Sequence, residues 1–316
     1  MAKEFASKAD LGEKNISFVK LGEGCYGYTA EGDPNSGVII GDDYVMVIEA
    51  QATPKMARDV IEKIRTVTDK PIKYLVLTHY HAVRVLGASE YNAEEIIMSR
   101  KTNEMVEERG KQDWDSEFER FPRLFRGHES IPGLTHPTII FEDKLTLDLG
   151  NKKVEIIHVG EGHTRGDSVI WVPDEKVLFA GDLVEYGATP YCGDAQLKNW
   201  PKTLQRLSDM KPKAMVPGRG EALTNPVECQ EAILMTSDYV TMLYQQALLS
   251  VTRGESLKKC YNALMKSMTP RFGDWVIFEH CMPFNVTRAY DEASGISHPR
   301  IWTDKRDIEM WNELNS

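Results

Sequence analysis

Short apolar runs dominate the first two-thirds of the chain, and their spacing changes at defined points. Positions 18–21, 25–30, 38–40 and 44–48 read as strands, and the last two flank Gly41-Asp42-Asp43, a hairpin signal. Thr53 followed by Pro54 reads as an N-cap and a first helical residue, and Met56, Val60, Ile61, Ile64 and Val67 then recur at helical spacing. Positions 72–77 form a continuous apolar strand that runs directly into Thr78-His79-Tyr80-His81. A strand at 96–98 and a charged helix over 101–119 follow. Further strands are predicted at 137–141, 144–149, 153–159, 168–172 and 176–179, then a helix over 197–210 with Trp200, Leu204 and Leu207 on one side. A short strand at 214–216 precedes Pro217-Gly218. From Pro226 onward the pattern is helical, through Val240, Leu243, Leu248, Leu257, Tyr261 and Leu264. Strands outnumber helices up to about residue 225, which favours two sheets with helices outside over a doubly wound parallel sheet.

The composition suits a globule, with 41% hydrophobic and 27% charged residues among 316. A net charge of −10 argues against a general nucleic-acid binder, which needs a basic surface, but leaves room for a local basic pocket. No apolar run reaches the ~18 residues of a membrane span. The opening MAKEFASKADLGEKNISF lacks the apolar stretch of a signal peptide. Five cysteines with no C-x-x-C pair fit a reduced, cytoplasmic setting, in which the sequons at Asn15 and Asn285 are chance matches. Gly22-Glu-Gly-Cys-Tyr-Gly27 has the glycine spacing of a dinucleotide loop, but Tyr-Thr-Ala-Glu-Gly-Asp-Pro follows and cannot start the helix such a loop needs. The cysteines read as buried small apolar residues, with Cys192 in Pro190-Tyr-Cys-Gly-Asp194 keeping a reactive thiol as its alternative.

The chemistry concentrates at strand ends. His79 and His81 stand one residue apart, so an extended backbone points both the same way. A pair of imidazoles is a weak signal alone, because zinc needs three or four converging ligands. Gly162-His163-Thr-Arg-Gly-Asp167 adds a histidine between glycines after one strand, Phe179-Ala-Gly-Asp182 a carboxylate after another, and Pro217-Gly-Arg-Gly220 a guanidinium after a third. Arg165 is expected to pair with Asp167 in its own turn.

These segments, over roughly residues 17–225, resemble the metallo-β-lactamase superfamily, whose signature runs H-x-H-x-D-H, a G-H-T-like turn, a bridging Asp and a final histidine often in P-G-H. Here the segments read His79-Tyr-His81-Ala-Val83-Arg84, Gly162-His163-Thr164, Gly181-Asp182 and Pro217-Gly218-Arg219. The resemblance implies an α/β fold, a four-layer αβ/βα sandwich of two mixed β-sheets flanked by helices, with the site along one sheet edge. It also implies metal ligation by His79, His81, His163 and Asp182. In two-metal members the second metal takes the positions held here by Val83, Arg84 and Arg219, with the aspartate bridging. Every first-metal ligand and the bridge survive, while all three unshared second-metal positions are changed. Random loss would rarely sort so cleanly, so removal of one metal explains the pattern better than drift. Arg84 and Arg219 together carry the charge of a divalent cation, and they need an anion between them, either Asp182 or a substrate group.

The expected activity is that of a hydrolase using a single metal-bound water on a small anionic ester, lactone, thioester or similar substrate. Asp182, Arg84 and Arg219 are then the catalytic residues, and one divalent metal is the cofactor, zinc or alternatively iron. A mononuclear iron oxidoreductase and a non-catalytic anion-binding protein with a degenerate site are the competing readings. Residues 1–225 form the predicted metallo-β-lactamase-like domain and 226–316 a helical C-terminal extension packed on it, as a lid or a homodimer contact. No nucleic-acid or membrane partner is expected. His280 is read as a packed or surface histidine, with a reach into the pocket as its alternative.

Overall fold

The structure is a computed structural model that describes residues 14–120 and 122–316; the expectation drawn from the first segment falls mainly on residues 1–13, outside the described residues. The chain opens with an antiparallel meander of β1 (Ser17–Gly22), β2 (Cys25–Thr29), β3 (Ser36–Ile40) and β4 (Val45–Ile48). Gly22 pairs with Cys25 across the β1–β2 turn, so the glycine-rich segment is a hairpin and no helix follows it. At the predicted second hairpin, the Gly41 N–H donates to the Tyr44 carbonyl at 2.8 Å.

The connection then becomes parallel. Parallel strands need a long crossover, and α1 (Pro54–Arg65) supplies it between β4 and β5 (Ile72–Val76). As predicted, the Thr53 side chain caps α1 by accepting from the Met56 N–H, at 3.1 Å, with Pro54 in the first turn. The short α2 (Ala82–Val85) leads to β6 (Glu95–Ser99), and α3 (Arg100–Arg120) crosses over to β7 (Ile139–Phe141). These seven strands form one mixed sheet in sequence order.

The second sheet has the order β12-β11-β10-β9-β8, from β8 (Lys144–Asp148), β9 (Lys153–His158), β10 (Ser168–Val172), β11 (Val177–Gly181) and β12 (Ala214–Pro217). Only β11 and β12 are parallel, joined through α4 (Trp200–Asp209), which starts later than predicted because Pro201 suits the first helical turn.

Side chains alternate across each strand and so divide three apolar layers. Val38, Val45, Val47 and Leu75 face α1 and α3 together with Met56, Val60 and Met105. Ile39, Met46, Ile48 and Val76 meet Ile156, Ile170, Val172 and Phe179 between the sheets. Val169, Trp171, Leu178 and Met215 face Trp200, Leu204 and Leu207 of α4. This is the predicted four-layer αβ/βα sandwich. The same outer core continues into α5 (Pro226–Thr252), α6 (Leu257–Phe272), α7 (Phe278–Ala293) and α8 (Asp304–Asn315) through Leu243, Phe272, Phe284 and Leu314. No helix among the described residues is long and apolar enough to cross a membrane. All five cysteines are free and buried.

Candidate metal centre

The ends of β5, β9, β11 and β12 deliver the predicted residues to one place. His79 and His81 follow β5, where the Thr78 N–H donates to the Glu49 carboxylate at 2.9 Å and ties this segment to the end of β4. His81 precedes α2, and two carboxylates of α3 satisfy the first free N–H groups of that helix: Asp113 accepts from Ala82 at 2.7 Å and Glu117 from Val83 at 3.0 Å. Val83, at the position of the missing family aspartate, is itself buried in the apolar layer. His163 lies in the turn between β9 and β10. Asp167 accepts there from the Thr164 N–H at 2.8 Å and its hydroxyl at 2.6 Å. The carboxylate is thereby satisfied locally, so the expected Arg165–Asp167 pair is not formed; Arg165 lies 3.7 Å from Glu104 instead.

One ligand atom from each of His79, His81, His163 and Asp182 lies within 4.8 Å of the others. His163 Nε2 is 2.9 Å from His81 Nδ1, and Asp182 Oδ2 is 3.6 Å from Nε2 of both His79 and His163. Among the described residues, His79 Nε2 is buried without a hydrogen-bond partner. Tetrahedral zinc with bonds of about 2.0–2.1 Å separates its ligands by about 3.3 Å. The observed separations of 2.9 and 3.6 Å bracket that value, and His79 Nε2 is left with its lone pair or proton unused, so the donor set fits a divalent ion.

Electrostatics distinguish the histidines. Burial holds His79 well below its ordinary pKa and pushes His163 down to about 3. Burial also opposes charge on His81, but Asp113, Asp194 and Glu117 outweigh it and raise the imidazole to about 9. Asp182 is desolvated, yet Arg84, His79 and Arg219 hold it well below the usual carboxylate range.

Arg84 and Arg219 converge on Asp182 as predicted. Arg84 Nη2 donates to Asp182 Oδ1 and, at 2.8 Å, to the Gly218 carbonyl, while Nη1 donates to the Asn35 carbonyl at 2.9 Å. Arg219 Nη1 is 3.2 Å from Asp182 Oδ2 and 3.1 Å from Glu185 Oε1, and its backbone N–H donates to Glu185 Oε2. Both guanidiniums are buried. The anion between them is therefore Asp182, supported by Glu185. These N–H groups are used within the protein, and among the described residues Arg84 Nε is left buried without a hydrogen-bond partner.

Several surrounding acids escaped the sequence reading. Glu185 stands three residues after Asp182, and that spacing is its one signal in the sequence. Asp194 ends the Pro190-Tyr-Cys-Gly-Asp194 segment that carries Cys192. Its Oδ2 is 3.5 Å from His81 Nε2, and its Oδ1 accepts from Arg109 at 2.8 Å. Arg109, Asp113 and Glu117 follow one another at i,i+4 on α3, which was the available signal that this charged helix turns a face to the site. Cys192 is fully buried, and burial raises its thiol well above the ordinary range, which removes the reactive alternative. His280 stacks on Phe284 at 5.9 Å and is not one of the four clustered residues.

A four-layer sandwich with a His/Asp cluster at its strand ends defines the class. The family model described as the metallo-beta-lactamase superfamily matches residues 29–219, more than half of the chain, and the chain belongs to that superfamily. It is 25% identical over 209 residues to a metallo-beta-lactamase type 2 of Pseudomonas aeruginosa, covering 63% of this chain and 75% of the relative. It is 20% identical over 242 residues to a linear primary-alkylsulfatase of Pseudomonas sp. (strain ATCC 19151), covering 66% of this chain but only 46% of that protein. A solved metallo-beta-lactamase from Pontibacter korlensis shares the fold with a TM-score of 0.57 and 20% identity, over 72% of this chain and 99% of that one.

Proposed function

We propose that the chain is a metal-dependent hydrolase of small ester, lactone or thioester substrates, working with a single zinc ion. His79 Nε2, His81 Nδ1 and His163 Nε2 would hold the metal, with Asp182 Oδ2 beside them. The observation that carries the reading is the convergence of one ligand atom from each of these four residues within 4.8 Å, while Arg84 and Arg219, at the positions of the second metal's ligands, bind Asp182. A bound metal supplies Lewis acidity and an acidified water. Burial keeps His79 and His163 neutral and so available as ligands. The guanidiniums keep Asp182 ionised and fix its direction. Relatives named as a β-lactamase and an alkylsulfatase support hydrolysis as the reaction class.

The test is turnover of chromogenic esters, a lactone and a thioester by zinc-loaded and chelator-treated protein. Hydrolysis that needs the metal and falls to background in His163→Ala is expected. A zinc-loaded protein inactive on all three classes contradicts the reading. A second reading rests on His79 and His163, each 3.6 Å from Asp182, which form a two-His-one-carboxylate face suited to iron. Oxygen consumption by the iron-loaded protein, without ester hydrolysis, would favour it.

A further inference from the structure

The loop that joins Asp182 to α4 carries Asp194, and the C-terminal region holds that loop along most of its length. Thr189 and Gly187 exchange backbone hydrogen bonds with Val276, at 3.0 and 3.1 Å. Asn285 receives the Cys192 N–H at 2.7 Å and donates to the Pro190 carbonyl at 2.8 Å. The Trp302 indole N–H donates to the Gly193 carbonyl at 3.1 Å, and Arg288 Nε donates to the Ala195 carbonyl at 2.7 Å. Glu292 accepts from the Leu197 and Lys198 N–H groups at 2.9 and 3.1 Å. Both carbonyls flanking Asp194 are thus held by side chains that lie beyond residue 219, where the family match ends.

What this bracing positions is specific. Asp194 Oδ2 faces His81 Nε2, the ring nitrogen opposite the Nδ1 that points at His163. Ligation through Nδ1 requires the remaining ring proton to sit on Nε2, and a carboxylate facing Nε2 keeps it there and fixes the ring plane. Arg109 Nη1 takes the other carboxylate oxygen, while Glu108 holds the far side of the guanidinium, so Asp194 cannot swing away without breaking a buried ion pair.

We propose that Asp194 is a positioning residue for His81, and that residues 276–302 are a working part of the metal centre because Trp302 and Arg288 set the carboxylate in place. The proposal rests on the metal reading above. It makes the C-terminal region a structural condition for ligation, since among the described residues the two flanking carbonyls are held by Trp302 and Arg288.

The experiment uses the full chain, with zinc affinity measured by competition against a chelator and the His81 ring nitrogens observed by NMR in metal-free protein. Asp194→Ala removes the carboxylate and is expected to weaken zinc binding about 10–100-fold. Asp194→Asn keeps an oxygen that can accept from Nε2–H and should recover part of that loss. Trp302→Phe keeps a ring against Phe284, at 4.8 Å, and Arg306, at 3.6 Å, and deletes only the indole donor. It should weaken zinc about tenfold, the lower end of the same range, and shift the His81 Nε2 signal while the metal-free melting temperature stays close to wild type. Zinc affinity within twofold of wild type in Asp194→Ala, or a Trp302→Phe protein unchanged in both readouts, overturns the proposal. If Asp194→Ala does not fold, Asp194→Asn and Trp302→Phe still decide. Wild-type protein that takes no zinc contradicts the metal reading and, with it, the role in ligation. The imidazole signal of Trp302→Phe then separately shows whether the brace sets His81, and an unchanged signal overturns that as well.

Discussion

His79, His81 and His163 belong to one cluster yet titrate apart. Burial depresses His79 and His163, whereas the carboxylates around His81 lift it to about 9. In metal-free protein at neutral pH, His81 is therefore the protonated member, and a metal has to displace that proton. Zinc affinity should rise about tenfold per pH unit from pH 7 to about 9 and then level off, with one proton released per ion. Calorimetry in buffers of different ionisation enthalpy checks this, and an affinity constant above pH 6.5 would contradict it. The sign for folding is opposite. A pKa raised above the ordinary value gives the metal-free protein stability that is fully present below pH ~6.5 and is lost as the pH rises through about 9.

At the scale of elements, strand ends carry the candidate centre, and one close junction lies where β12 meets the end of β11. A Cβ on Gly218 would overlap the Asp182 carboxylate and come 2.9 Å from the Asp182 Cα, while the Gly218 carbonyl accepts from Arg84. Gly218→Ala should cost about 1–3 kcal/mol by overpacking, read from denaturant unfolding, whereas an unchanged midpoint would mean the junction is loose. The strands and the α1 cap were legible because each is written locally, in a short apolar run or in Thr53-Pro54. His79, His81, His163 and Asp182 were legible because glycines and strand ends mark them. Asp194, Glu185, Asp113 and Glu117 were not, because their meaning depends on partners distant in sequence, as with Asp194 and Arg109, 85 positions apart. A charged residue on a helix looks the same in sequence whether it faces water or a buried imidazole.

Across the whole molecule, an acidic chain of net charge −10 keeps two guanidiniums buried at its centre, answered by Asp182 and Glu185. On the proposed reading, that arrangement leaves one complete set of metal ligands and fills the other set's place with protein. The sheets contribute the ligands, α3 contributes carboxylates behind His81, and the C-terminal helices hold the loop of Asp194, so every layer meets at the same edge. The most direct test of the account is elemental analysis of untagged protein reconstituted with zinc and freed of excess metal. The account predicts about one ion per chain, lost in His81→Ala and His163→Ala with the far-ultraviolet circular dichroism unchanged. Two ions per chain, or none, would contradict it.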